Sequence, residues 1–275
     1  MPELPEVETV RRSLTDLVLH KKITRVEIFK PAILALGDEA AYAGLAGREL
    51  ADIGRRGKYL LFRLNEPADL LWVVHLRMTG KLLYHRQSEP LQKHDHARLE
   101  FADGSELIYN DTRAFGRFWL TQDATQVSGL NSLGLEPLDA DFSAAYWQEK
   151  IKRRPKMLVK AGLLDQTMVA GLGNIYADEV LFQAGVHPER TLGSLTEAEN
   201  QRLAQAMREI LQASIAQRGT TFRDYVDGNN EKGGYQEFLR VFQKLNQPCP
   251  NCGEQIQRIR VAGRSSYFCP HCQTK

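Results

Sequence analysis

The sequence is poor in three respects, and each narrows what the chain can be. No cysteine precedes Cys249, so a disulfide framework spread over the protein is excluded. No apolar run approaches the length of a membrane span or a signal-peptide core, and the expectation is a cytoplasmic protein with no membrane partner. The formal net charge is only +2, so any case for a polyanionic partner has to come from where the basic residues lie. There is also no internal repeat, and no histidine–carboxylate cluster suited to a catalytic ion.

What is present is an ordinary folded composition, 43% hydrophobic and 25% charged over 275 residues, enough for one large domain or two modest ones. The basic residues are clumped. Lys150, Lys152, Arg153, Arg154, Lys156 and Lys160 run without an intervening acid, and beyond Lys244 the only acid is Glu254. Taken alone, either clump reads as solvated surface. The cysteines form two C-x2-C units, CPNC (Cys249, Cys252) and CPHC (Cys269, Cys272). Two such knuckles close one tetrahedral site of four thiolates, a structural Zn2+ site, with two local disulfides as the alternative. Four protein ligands leave no open position for water or substrate, and a ribbon this small has no core without its metal.

Leu4, Val7, Val10, Leu14 and Leu17 recur at roughly helical spacing and predict an amphipathic helix at the start. The segments ITRVEIF, KYLLFRL, LLWVVHL, HARLEF, ELIYND and GRFWL then predict strands, and that many short strands suggest a sandwich. FADGSEL predicts a tight primed hairpin turn, with Asp-Gly supplying the positive φ angles. Past about Gly134 the pattern turns helical, with FSAAYWQEKI and then a long helix from Thr196 to about Arg218, opened by the capping box TEAE and closed by Gly219. The expected fold class is α+β: an N-terminal helix and β-sandwich over 1–131, a helical segment over 132–240, and a four-cysteine zinc ribbon over 241–275.

The chain opens MPELPEVET. Prolines at 2 and 5 with Glu3, Glu6 and Glu8 suit a helix N-terminus, because proline lacks the orphan N–H and acids complement the dipole. That does not explain Pro2 directly behind Met1, where loss of the methionine leaves a secondary amine. An α-amino group has a pKa of about 8, against about 10.4 for lysine, so more of it is neutral and nucleophilic at pH 7. Such an amine attacks an electrophilic carbon and becomes an iminium ion, with Glu3 beside it to supply or relay a proton.

MPELPEVET, GRRGKYLLF, HLRMTG, KHDHARLEF, NDTRAFGRF, GLGNIYADEVLF and the terminal four-cysteine ribbon together resemble formamidopyrimidine-DNA glycosylase, in that family's order and along the whole chain. The resemblance implies a monomeric base-excision-repair enzyme, cytoplasmic and nucleoid-associated. It would remove 8-oxoguanine and formamidopyrimidines from duplex DNA and cleave the abasic strand by β,δ-elimination. It also implies that Met1 is removed, that Pro2 attacks C1′, and that Glu3 serves base excision. Lys58 would move a proton in β-elimination, and Arg264 would serve δ-elimination and a phosphate. Glu6 is similar to a second carboxylate near the site. Met78, Arg113 and Phe115 would fill the hole left by the everted base, although by residue type Met78 and Phe115 also read as core. His94, Lys156, Lys160 and Asn174 match DNA-backbone positions, Asn174 in a helix-two-turn-helix element.

Two positions depart from the family: Arg77, where glycine is common, and Ala114, where a second arginine is common. Both bear on the shape of the wedge loops. RGTTFRDYVDGNNEKGGYQEF resembles the loop that closes over the everted base, with recognition expected from backbone amides near Thr220 to Tyr225; its other reading is a flexible linker. The rival activities are an endonuclease VIII-like glycosylase for oxidised pyrimidines, which Leu4 and Val7-Glu8-Thr9 disfavour, and a non-catalytic zinc-ribbon DNA-binding protein.

Overall fold

The computed structural model describes residues 2–67 and 69–275; Met1, and with it the expected removal of that residue, lies outside the described residues. Two compact units divide the chain, one formed by 1–131 with 217–234 and the other by 132–216 with 235–275. Residues 217–234 therefore group with the first unit, although by sequence they follow the helical segment. Among the described residues no helix is long and apolar enough to cross a membrane.

In the first unit, α1 (Leu4–Val18) and α2 (Glu39–Ala43) accompany nine strands: β1 (Ile23–Ile28), β2 (Leu34–Leu36), β3 (Leu50–Arg56), β4 (Tyr59–Leu64), β5 (Leu71–His75), β6 (Gly80–His85), β7 (Asp95–Phe101), β8 (Glu106–Asp111) and β9 (Arg117–Thr121). They make two sheets, ordered β1-β7-β8-β6 and β2-β9-β5-β4-β3, antiparallel except where β2 meets β9. Val26, Leu82, Leu99 and Leu107 from one sheet share a core with Ile53, Phe62, Trp72 and Phe118 from the other, the arrangement of a β-sandwich. The apolar stripe of α1 joins it through Val7, Val10, Leu14 and Val18. The β7–β8 hairpin forms where FADGSEL predicts, but only Gly104 takes a positive φ, 83°. Asp103 instead accepts the Ser105 N–H at 3.1 Å, so its side chain shapes the turn and its backbone stays in the ordinary region.

The second unit holds α3 (Ala144–Lys152), α4 (Val159–Leu164), α5 (Asn174–Ala184), α6 (Glu197–Ala216) and a ribbon of β10 (Gln257–Val261) and β11 (Arg264–Phe268). The TEAE box caps α6 as expected: Thr196 N–H donates to the Glu199 carboxylate at 2.8 Å, and Glu199 N–H returns to Thr196 Oγ1 at 3.3 Å. The helix stops at Ala216, short of the expected Arg218, because Arg218 already turns into the left-handed region at φ 62°. Between α4 and α5 the Gln166 amide staples the turn, donating to Leu172 O at 2.8 Å and accepting Gly171 N–H at 3.0 Å.

The link between α1 and the second sheet is electrostatic. The Glu8 carboxylate takes Nε–H donors from Arg11 (3.0 Å), Arg12 (2.8 Å) and Arg55 of β3 (3.0 Å). Burial raises its pKa, but the three guanidinium bonds outweigh that and bring it down to about 2. A carboxylate with a lowered native pKa stabilises the fold above its unfolded pKa and loses that contribution as pH falls toward the native value. The Glu8→Gln variant is therefore expected to unfold at lower urea, by about 1–3 kcal/mol at pH 7. Urea titrations repeated from pH 7 downward should show the gap to wild type closing between pH 4.5 and 2.

Candidate active site and nucleic-acid interface

Glu3 is the N-cap of α1 and Leu4 its first helical residue, which puts Pro2 ahead of the cap. The helix-starting role of proline thus falls to Pro5, inside the first turn, and Pro2 has no such role. Glu3 is 2% exposed and its N–H donates to Glu6 Oε2 at 2.8 Å, so the backbone next to Pro2 is fixed rather than frayed. The other Glu6 oxygen accepts the Thr220 N–H at 2.7 Å. One buried carboxylate thereby joins the backbone beside Pro2 to the root of the 217–234 loop.

Lys58 follows Gly57 in the β3–β4 turn, and Gly57 takes φ 56°. Arg55, held by Glu8, donates to Gly57 O at 2.9 Å, so α1 sets the position of this turn. Lys58 is buried. His75, on β5, packs edge-on against Tyr59 and accepts the Arg77 N–H on Nδ1 at 3.0 Å. Its pKa falls to about 3 through burial and then through the cations of Arg77 and Lys58, so the imidazole is neutral at pH 7.

Two neighbouring loops carry Met78, Arg113 and Phe115, and Asp111 organises both. Its buried carboxylate accepts the Thr79 hydroxyl, Tyr109 OH at 2.9 Å, Gly116 N–H at 2.9 Å and Arg113 N–H at 3.2 Å. These bonds overcome the upward push of burial and keep its pKa below the usual value. Tyr109 OH reaches Asp111 by passing so close to Gly116 that a Cβ there would lie 1.6 Å from it, which excludes any other residue. Phe115 is 48% exposed, with the Arg113 guanidinium 4.6 Å from its ring centroid, and Met78 is half-buried. Neither is a core residue. Arg77 and Ala114, the two departures, both sit at left-handed φ, 55° and 53°.

The 217–234 loop is pinned within its unit. Tyr225 OH donates to Arg218 O at 3.1 Å, Gly228 N–H to the Ser13 hydroxyl at 2.9 Å, and Tyr84 N–H of β6 to Gly228 O at 3.0 Å. Phe222, Arg223 and Asp224 project from it as an exposed tip. The Thr220 amide, expected to face a base, is already engaged by Glu6.

In the second unit, Lys156 is exposed, whereas Lys160 is 0% exposed with its ammonium 2.7 Å from Asp178 Oδ1. The surface contact expected of Lys160 is therefore corrected: a cation this enclosed does not reach a DNA backbone. Asn174 is the first residue of α5, and its Nδ2 donates to Ser265 O at 3.1 Å. His94, at φ 77°, is half-buried, and its carbonyl accepts the Asp111 N–H at 3.0 Å. Arg264 opens β11 just past a two-residue turn in which Ala262 and Gly263 both have positive φ, 47° and 75°. It is exposed. The thiols of Cys249, Cys252, Cys269 and Cys272 lie within 4.8 Å of one another, and none is in a disulfide. The Cys249–Cys272 and Cys252–Cys269 sulfurs are 3.9 and 3.5 Å apart. Four thiolates at about 2.3 Å from one tetrahedral Zn2+ stand about 3.8 Å from each other, so the set fits that ion.

Three family models match the chain in order: the formamidopyrimidine-DNA glycosylase N-terminal domain over 1–118, its H2TH domain over 133–226, and the zinc finger found in FPG and IleRS over 246–275. Formamidopyrimidine-DNA glycosylase of Pelotomaculum thermopropionicum is 45% identical over 99% of both chains, and that of Desulfitobacterium hafniense 47% identical over 99% of this chain and 100% of the other. The chain belongs to the formamidopyrimidine-DNA glycosylase family. Among solved structures, a Lactococcus lactis FPG mutant bound to Fapy-dG DNA superposes with TM-score 0.92, 40% identity and 100% coverage of both chains. The L. lactis Fpg complex with an abasic site gives TM-score 0.90 at 39% identity, over 99% of this chain and 100% of that one.

The glycosylase family assignment makes the four-cysteine site one structural Zn2+ and discards the disulfide alternative. Glu6, Glu8, His75 and Asp111 act as organising residues from inside the motifs MPELPEVET, HLRMTG and NDTRAFGRF, and of the four the resemblance places only Glu6 near the site. Asp111 ends the strand ELIYND, in which every residue but the half-buried Asn110 is buried, so no alternation of apolar and polar residues marks it as an organiser. Asp111→Asn, which turns an amide donor toward four donors, is expected to lower stability by about 2–4 kcal/mol in urea titration. A loss under roughly 0.5 kcal/mol would mean that other groups hold the loops of Met78, Arg113 and Phe115. Strong chelators should release one Zn2+ per chain, read by metal analysis, and abolish DNA binding while leaving the circular dichroism of the sandwich intact.

Proposed function

We propose that this chain excises oxidised purines, 8-oxoguanine and formamidopyrimidines, from duplex DNA and then cleaves the abasic strand by β,δ-elimination. The observation that carries this reading is the placement of Pro2 outside the helix it precedes, on a backbone immobilised by Glu6. A proline used only to start a helix belongs where Pro5 is.

Once Met1 is gone, the Pro2 secondary amine attacks C1′ of the everted nucleotide, and the glycosidic bond breaks with its electron pair going to the departing purine. Glu3 relays the proton that neutralises that base and later the one that opens the sugar at O4′. The resulting C1′ iminium acidifies the C2′ hydrogens. Loss of one of them expels the 3′ phosphate, with Lys58 moving the proton, and the second elimination, of the 5′ phosphate, falls to Arg264. The neutral imidazole of His75 beside Lys58 adds no further positive charge there.

Met78, Arg113 and Phe115 fill the vacated stack, Phe115 as wedge and Arg113 as hydrogen-bond donor to the orphaned base. Their cation–π contact pre-orders both before DNA arrives. His94, Lys156 and Asn174 contact the backbone. For Asn174 this requires its Nδ2 to share or exchange its bond to Ser265 O. Residues 1–131 carry the nucleophile and wedge, 132–240 the helix-two-turn-helix element and the loop over the lesion, and 241–275 the zinc finger. The working state is a monomer in the cytoplasm, acting on the nucleoid.

Borohydride trapping on a duplex with one 8-oxoguanine opposite cytosine, followed by peptide mass mapping, tests the reading. The expected adduct is on an N-terminal Pro2, and Pro2→Gly should cut its formation by at least tenfold. Tight binding with no adduct would favour a non-catalytic DNA-binding protein, and trapping confined to oxidised pyrimidines the endonuclease VIII-like activity.

A further inference from the structure

A two-stranded ribbon is marginal alone, and β11 has one edge against β10 and, among the described residues, no strand on the other. On that second edge, Lys160 Nζ donates to Ser265 O at 2.8 Å, and the Tyr267 N–H donates to Asp178 Oδ2 at 3.0 Å. The Ser266 hydroxyl lies 3.3 Å from Asp178 Oδ1, and Asn174 Nδ2 also reaches Ser265 O. A carbonyl at position i and an N–H at i+2 are the groups that a neighbouring strand would satisfy. Here an ammonium and a carboxylate, 2.7 Å apart and both 0% exposed, satisfy them instead. The three residues held this way come directly after Arg264.

Stability alone does not account for the pair. Two charges withdrawn completely from water cost more than their attraction returns unless further bonds repay the difference, and apolar replacements of similar volume often hold helices as well or better. What apolar side chains lack is direction. The ion pair bonds one backbone acceptor and one backbone donor of β11, fixing both the height of the ribbon on α4 and α5 and its rotation. With its turn residues at positive φ and its outer edge clamped, the hairpin leaves Arg264 little freedom beyond its own rotamers.

We propose that the Lys160–Asp178 pair stands in for a third strand on the zinc ribbon and is the positioning device for Arg264, so that the second elimination depends on two residues that do not touch DNA. The inference rests on the role given to Arg264 above. Burial raises the Asp178 pKa, so if Lys160 is removed the carboxyl takes up a proton and keeps its neighbours, whereas Lys160 left alone would be an unpaired buried cation. The informative variants are therefore Lys160→Met and the double variant Lys160→Met/Asp178→Leu, with Arg264→Ala as reference.

The readout is the partition between β- and β,δ-elimination products on an abasic-site duplex, in single turnover with enzyme in excess so that weakened binding does not enter. Both clamp variants are expected to keep one Zn2+ and to trap at Pro2 with borohydride. Their β,δ share should fall at least tenfold, toward that of Arg264→Ala. A wild-type partition in a folded clamp variant, with Arg264→Ala defective, overturns the positioning role. A wild-type partition in Arg264→Ala itself overturns the reading on which the inference rests. Should neither clamp variant fold, hydrogen exchange in the unaltered protein decides: the Tyr267 amide is expected to exchange as slowly as those of α5, and fast exchange refutes the clamp.

Discussion

The first unit depends on one carboxylate in the second turn of α1. Glu8 and Arg55 are each about one-tenth exposed, 11% and 10%, and their contact ties the helix that begins behind Pro2 to the strand that leads to Lys58. A helix packed by its apolar stripe alone can slide or rotate on a sheet, because the hydrophobic effect has no direction. The guanidinium removes that freedom, and its second bond, to Gly57 O, carries the constraint into the turn. The relative placement of Pro2 and Lys58 is thus a matter of hydrogen-bond geometry more than of packing.

The second unit uses the same device deeper in the protein. Asp178 and Glu179 are consecutive residues of α5, both buried, and each recruits backbone from another segment. Asp178 holds β11, while Glu179 accepts the N–H groups of Arg240, Val241 and Phe242 at 2.9, 3.0 and 2.9 Å. The zinc module is therefore docked by acids at both its approach and its hairpin. The metal closes the ribbon, and α5 orients it.

Much of this was legible in the sequence. Six strands, α1, the α6 capping box and the zinc ligands follow from periodicity, cap chemistry and spacing, because each is a local signal. Strands β2, β3 and β6 escape that reading for local reasons as well: β2 has three residues, β3 contains Gly54, and β6 starts on a glycine lying against Tyr109. The residues proposed as nucleophile, wedge and proton-transfer groups are readable because they sit in short motifs. The supports sit in the same motifs, but their pairing is not readable, since Glu8 meets Arg55 across 47 residues and Asp178 meets Tyr267 across 89. An isolated acid in a helix carries no mark of the backbone it will bind. Lys160 shows the converse: within a run of surface cations it looks like another of them, and only the fold reveals that it is enclosed.

Arg77 and Ala114, on the two loops that carry Met78, Arg113 and Phe115, occupy backbone conformations that an L side chain enters at a cost of roughly 1–2 kcal/mol each. Asp111 can hold them there because its bonds over-determine both loops. For protein engineering, these are two places where glycine removes strain without altering the side chains of Met78, Arg113 and Phe115. A protein made more heat-resistant at these positions would give up only the stiffness that two left-handed residues lend to the loops.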